Sequence, residues 1–290
     1  GSGLVLYSSS NNVVQNVTAT NRQQGIYVRD GSSHNTLQQN NLSGAGDAAI
    51  QARHNTAGST SNRYLNNNLT NSYIALDIRY DTQFVSSGND LTGSTYGLVL
   101  LNMDLAGASI TQAMVGIGSG LTGTPLYLES VTNALISGLD LSWTGTGKVG
   151  SGLVLYSSSN NVVQNVTSAN RATGIEVSYS NNNTVQCAAV LNNTVGIQSS
   201  GTTTGLVVAN SHIAGNTTGV SNGVAALVNA ENNFWGAADG PSNLGGAGDS
   251  YSGNVDADPF RASLPPCLIT ITNQAPTAVA GGPYTVPEGG

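Results

Sequence analysis

The 290-residue sequence is short of charge, with 8% Asp, Glu, Lys and Arg where roughly a quarter is usual. Lysine is reduced to Lys148 and the net charge is -7. Nucleic acids and anionic membranes both demand dense cationic surface, so this composition argues against either partner. Long apolar runs are missing as well: no stretch nears the roughly 18 residues of a membrane-spanning helix, and no charged n-region with an apolar h-region opens the sequence. No membrane insertion is expected. The only two cysteines, Cys187 and Cys267, are too few for a disulfide framework, and no Cys/His spacing resembles a zinc site.

What replaces charge is 34 Asn together with abundant Ser, Thr and Gly, a turn-rich mixture that favours many short strands over long helices. With 39% apolar residues the chain still has enough to bury a core. Loss of Lys and Glu in favour of small polar residues points to an extracellular or cell-surface protein.

Residues 1–18, GSGLVLYSSSNNVVQNVT, recur letter for letter at 150–167. Over this duplication runs a shorter period, roughly N-x-Φ-x-x-N-x-Φ-x-x-N followed by G-Φ-x-Φ with Φ apolar. Its glycine returns at Gly3 and Gly25 and again at Gly152, Gly174, Gly196 and Gly219, at intervals of 22 or 23 residues within each run. Such periods mark solenoids. GLVLYS, GIYVRD, YIALDI, GLVLLN, PLYLES and GIEVSY alternate with period two, and NNVVQNVT and NTVQCAAV supply further short strands, so helices are excluded as the repeating element. The sequence therefore predicts an all-β solenoid of about ten coils over 1–235, each of three short strands, with Leu4, Leu6, Ile26, Val28, Ile175 and Val177 pointing inward. Longer turns fall near 55–61, 118–124 and 143–150.

Asn12, Asn16, Asn35, Asn161, Asn165 and Asn183 fall at equivalent corners, where Asn tolerates left-handed dihedrals and one amide can bond the next coil's. N-x-S/T sequons at Asn16, Asn41, Asn68, Asn165, Asn182, Asn192 and Asn216 read as members of this ladder rather than glycan carriers. Cys187 stands where Asn16 and Asn165 stand, which predicts a buried thiol in the ladder, unpaired with Cys267.

The N-x-Φ-x-x-N…G-I-x-V unit resembles the right-handed parallel β-helix repeat of pectate-lyase-like and NosD-type carbohydrate-associated proteins. ENNFWGAADGPSN (231–243) with GNVDADPF (253–260) is similar to the cap that closes such helices in secreted surface proteins, and Phe234, Trp235 and Phe260 could cover the last coil's apolar end. NQAPTAVAGGPYTVPEGG (273–290) looks like the first strands of a polycystic-kidney-disease-type immunoglobulin-like domain. The expected division is a β-helix over 1–235, cap loops over 236–262, and a linker with the start of a second domain over 263–290. Neighbouring domains of a longer chain are then expected partners.

Aligned on GIYVRD, AIQARH, ALDIRY and GLVLLN, the coils place Arg29, Arg53 and Arg79 in one outward column. Asp30, His54 and Tyr80 form a second, and Tyr27, Gln51 and Asp77 a third, all on one exposed face. Stacked like charges are unfavourable by up to about 1 kcal/mol, so the arginines require nearby anions such as Asp30, Asp77 and Asp81, or an anionic ligand. A salt-bridged, solvated surface is the plainest reading. A groove for an acidic polysaccharide or cell-surface glycan is the functional one, since arginine's fork suits carboxylates and sulfates, and Tyr7, Tyr27 and Tyr80 could stack on sugar rings. For a polysaccharide lyase or epimerase, which the resemblance also implies, the base would be His54, Tyr80 or Arg53. Neither a D-P-H-D-like motif nor paired-Asp and G-H-G signatures are present.

His34, in a turn, and His212, outside any cluster, read as structural. With two Met and three His, copper lacks its usual ligands. Asp239, Asp249, Asp256 and Asp258 could hold calcium in Gly-rich loops, against the alternative of turn capping. The sequence thus reads as a non-enzymatic extracellular scaffold or adhesive module that needs no cofactor. The lyase or epimerase is the alternative, and a self-associating surface-layer or fibre subunit is the third.

Overall fold

In the computed structural model, which describes residues 1–54, 61–116 and 120–269, parallel strands stack into a β-helix. The principal sheet has eleven strands in chain order: Leu4–Tyr7, Gln24–Arg29, Ala48–Arg53, Ile74–Arg79, Tyr96–Asp104, Thr124–Thr132, Val149–Tyr156, Arg171–Ser178, Val195–Ser200, Thr218–Asn222 and Tyr251–Ser252. Ten of these rungs lie before residue 235, and the last is contributed by the segment that follows it.

Alternation explains the stack. Leu126, Leu153, Ile175, Ile197 and Val220 are register partners from rung to rung, all buried, and Leu128, Leu155 and Val177 form a parallel column two residues on. Each such side chain contributes about 1.5–3 kcal/mol by leaving water, in a core that touches only the coils above and below.

The second face is broken. Val13–Gln15, Thr36–Gln38, Arg63–Leu65 and Val85–Ser87 form a four-stranded sheet; a seven-stranded sheet then runs from Ser109–Ile110 to Val255–Asp256. At the junction lies a one-turn α-helix, Gln112–Val115, packed on the strand Val85–Ser87. Strand reasoning missed it, although Gln, Ala and Met are all good helix formers. Among the described residues the third face is a strand at 167–169, 189–191 and 212–214; in the first coils it narrows to single bridges from Thr18 through Asn41 and Asn68 to Asp90.

The corner asparagines are of two kinds, which corrects their expected equivalence. Asn35 and Asn161 point inward, buried, and donate Nδ2–H to Asn62 and Asn183 Oδ1 at 3.1 and 3.2 Å; Asn40, Asn67 and Asn89 make a second ladder and Asn193, Asn216 and Asp249 a third. Asn16 and Asn165 instead lie outside, exposed, at φ of 55° and 52°. A left-handed residue reverses the chain at the corner and turns its side chain outward, so it cannot also serve the ladder. Of the sequon asparagines only Asn216 is a ladder member; Asn16, Asn165, Asn182 and Asn192 are exposed, and Asn41 and Asn68 half-buried.

Cys187 follows the outward kind. Its φ of 50° matches Asn165, Asn210 and Asn232 in the same corner position, it is only half-buried, and it is disulfide-bonded to Cys267. The expected buried free thiol is therefore corrected. Beside the bond, Arg261 donates to Asn210 Oδ1 at 2.7 Å and to Asn232 O at 3.0 Å, so the tail through Ile269 is clasped along the corner of the last coils.

Trp235 fills the last coil, fully buried with Tyr251 at 6.0 Å between ring centroids, and Phe260 packs partly against the core. Phe234 stands on the outward side against His212, 5.2 Å away. Arg171, also fully buried, donates to the carbonyls of Leu141, Leu121 and Gly123 at 2.8–2.9 Å, and burial pushes its guanidinium down to about 10. The immunoglobulin-like segment proposed for 273–290 lies outside the described residues.

Candidate ligand-binding face

Register assembles the expected columns. Tyr7, Arg29, Arg53, Arg79 and Leu101 are successive partners, as are Val5, Tyr27, Gln51, Asp77 and Val99. The arginines are on the outward side, but the face is not uniformly exposed: Gln51 is 2% accessible, His54 3% and Asp77 0%. This corrects the expected open surface. Asp77 is a short side chain whose neighbours on the preceding rung, Arg53 and Gln51, reach over to it with hydrogen bonds.

Anions satisfy two of the three arginines. Arg29 Nε meets Asp30 at 2.6 Å and lies between the rings of Tyr7 and Tyr27, 5.4 Å from each. Arg53 donates Nε–H and Nη2–H to Asp77 Oδ2 at 2.9 and 2.7 Å, and Gln51 donates to the same oxygen at 3.1 Å. From Gln51 the chain of bonds continues through Asp47 to Gln24 and Ser2. Arg79 is half-buried, and its Nε has no hydrogen-bond partner. Burial raises the Asp77 carboxyl above the usual range, and Arg53 only partly opposes it.

Arg53 and Asp77 border a cleft of about 260 Å³ whose other walls include Tyr73, Tyr96, Tyr127 and Glu129. The three rings form an edge-to-face row, 5.5 Å from Tyr73 to Tyr96 and 5.9 Å from Tyr96 to Tyr127. Burial and Glu129 push the Tyr127 phenol up to about 12, so it stays neutral at ordinary pH. Tyr156 and Tyr179 continue beyond as a second edge-to-face pair, 5.4 Å apart and both exposed. With Tyr7 and Tyr27 this places tyrosine on one side of the helix from the first to the eighth rung, about 34 Å at the usual strand spacing. Sequence reasoning found only Tyr7, Tyr27 and Tyr80. Register within the repeat would have placed Tyr127 and Tyr156 in the same columns as Tyr27 and Arg29.

The suggested bases are not gathered there. His54 is buried away from the cleft walls with both ring nitrogens lacking a hydrogen-bond partner, and burial lowers its basicity despite Asp81 and Asp30. Tyr80, half-buried at φ 60°, is not a cleft residue either. A larger recess of about 510 Å³ beside the short helix has no aromatic among its described walls, and its one carboxylate, Asp90, caps the Thr92 N–H at 3.0 Å.

Near the C-terminal end Asp239 accepts from Ala247 N–H, Asp256 from Asp258 N–H, and Asp249 from Asn216. These are turn and ladder bonds, and among the described residues no three His, Cys, Asp or Glu side chains converge on a metal position.

Residues 106–240, a little under half of the chain, match the family described as periplasmic copper-binding protein (NosD). No curated protein matches the chain. The donor set does not fit copper: both cysteines are joined in the disulfide, Met103 is buried, and His34, His54 and His212 lie on separate coils.

Proposed function

We propose that the chain is a non-catalytic β-helix module that works outside the cytoplasm and holds an extended polysaccharide along the tyrosines of its principal face. The observation that carries this reading is the cleft at Tyr73, Tyr96 and Tyr127, where three rings and the side chains of Arg53, Asp77 and Glu129 converge on one sheet. Aromatic walls with a few convergent polar groups are what sugar rings, apolar on their faces and hydroxylated at their edges, require. The periplasmic name of the matching family and the disulfide both favour an oxidising compartment.

The charge of the cleft shifts the ligand class. Asp77 offsets Arg53 and Glu129 adds a further negative charge, so a neutral polymer fits better than the acidic one that an unpaired arginine column would favour. The buried His54 and the engaged Arg53 favour binding over lyase or epimerase turnover. The test is retention on affinity gels of neutral and uronate-containing polysaccharides, with release of unsaturated uronate followed in parallel. We expect retention on a neutral polymer, weakened about tenfold (about 1.4 kcal/mol) by Tyr127→Ala, and no release. Release of unsaturated product, or retention indifferent to Tyr127, would overturn the reading.

A further inference from the structure

The duplication makes Tyr7 and Tyr156 copies of one residue, and each stands in a group of tyrosines with a charge beside them. In the first group the chain supplies its own cation. The Arg29 guanidinium lies 5.4 Å from the ring centres of both Tyr7 and Tyr27, and its Nε meets Asp30 at 2.6 Å. Register sets these parts: Tyr7 and Arg29 are partners on neighbouring rungs, and Tyr27 comes two residues before Arg29 on the same outward side of its strand.

The second group repeats the parts with one exchange. Tyr156 is the rung partner of Glu129, and Tyr127 comes two residues before Glu129, as Tyr27 does before Arg29. Where the first group has an arginine, the second has a carboxylate. Glu129 is half-buried and makes no ion pair or hydrogen bond among the described residues. Leu101 separates it from Arg79, two rungs away, and Arg53, the cation of the cleft, is engaged by Asp77. The charged groups that act on the Tyr127 phenol are Glu129 and Glu176, both negative. Glu176 lies beyond Val154 in the column of Tyr127 and accepts from Ser151 Oγ–H at 3.0 Å. Rings and carboxylates thus gather here without the cation that the first group encloses.

We propose that the end of the cleft at Tyr127, Glu129 and Tyr156 is a subsite for a protonated amine, so that the polysaccharide held on this face carries hexosamine units with free amino groups. This rests on the polysaccharide reading above and narrows its ligand. A ring face attracts an ammonium group through its quadrupole, and the carboxylate adds a full opposite charge. An N-acetylated amine is neutral and gains neither. A sugar rather than a peptide lysine is the carrier, because Tyr73, Tyr96, Tyr127, Tyr156 and Tyr179 recur on successive coils. Flat surfaces repeated along a stiff stack match the apolar faces of successive sugar rings, and a lysine side chain has no such faces.

The experiment titrates the chain calorimetrically, at a mildly acid pH where the amine is charged, with the β-1,4-linked glucosamine hexamer, its fully N-acetylated counterpart and hexalysine. The glucosamine hexamer should bind about tenfold more tightly than the acetylated one, and the ratio should shrink as salt is raised. Glu129→Gln should bring the two hexamers to within about twofold of each other. Should that variant not fold, the ratio in the unaltered chain and its salt dependence decide alone. Equal affinities in the unaltered chain, a ratio indifferent to salt, or a preference that survives Glu129→Gln would each overturn the amine subsite. Hexalysine bound as tightly as the glucosamine hexamer would overturn the sugar as carrier. Binding of both sugar hexamers alike would leave the polysaccharide reading standing without the amine, whereas binding of neither would remove both.

Discussion

Arg53 and Asp77, one rung apart, meet through a single oxygen: two N–H groups of the guanidinium converge on Oδ2, at 2.9 and 2.7 Å, while Oδ1 is buried without a partner. A half-satisfied carboxylate is a costly thing to keep ionised away from water.

The consequence for pH follows from direction. The folded-state value lies above the ordinary 3.8, so the folded protein holds this proton more tightly than the unfolded chain. Its contribution to stability is largest in acid and declines as pH rises from 3.8 through the raised value. Asp77→Asn should remove that decline and cost no more than about 1 kcal/mol at neutral pH. Urea unfolding at pH 4 and pH 7 checks it; a loss of several kcal/mol at pH 7 would mean that the ion pair outweighs its burial.

His54 carries the opposite sign. Burial lowers its value below 6.5, so the unfolded chain takes up the proton first and stability falls as pH drops below 6.5. Since neither ring nitrogen has a partner, His54→Leu should be neutral or stabilising at pH 7 and should flatten the loss between pH 6.5 and 5. Thermal unfolding across that range is the measurement. Destabilisation at pH 7 would reveal a hydrogen bond that the fold needs.

The coil, its period and its inward columns were legible because alternation and glycine spacing are one-dimensional signals, and register partners such as Arg29, Arg53 and Arg79 fell out of the same alignment. Exposure was not legible. Asp77 and Arg79 alternate identically outward, yet one is covered and the other only half so, because covering depends on the lengths of neighbours a rung away. The two classes of corner asparagine were merged for a related reason: Asn12 and Asn16 lie four residues apart in one motif, and only the backbone sign at Asn16 separates ladder from surface. That merging also hid the disulfide, since a residue placed inside the ladder could not reach Cys267.

Cys187→Ser should act locally. Closing a loop across a separation of 80 residues is worth at most about 4.5 kcal/mol in the unfolded chain, and coils feel only their neighbours. Limited proteolysis should therefore accelerate about tenfold within the tail up to Ile269, in the variant or under reductant, while the first coils keep their pattern. Unchanged cleavage would show that the Arg261 bonds to Asn210 and Asn232 hold the tail unaided.

The ladder ending at Asp249 has a direction. Each amide passes its hydrogens to the next coil's oxygen, from Asn193 to Asn216 to Asp249, and the last side chain has oxygen but no hydrogen to pass on. A carboxylate there works as a chain terminator does in a polymerisation: it can be joined but cannot propagate. The length of this ladder is thus written into one residue, and Asp249→Asn would restore a living end.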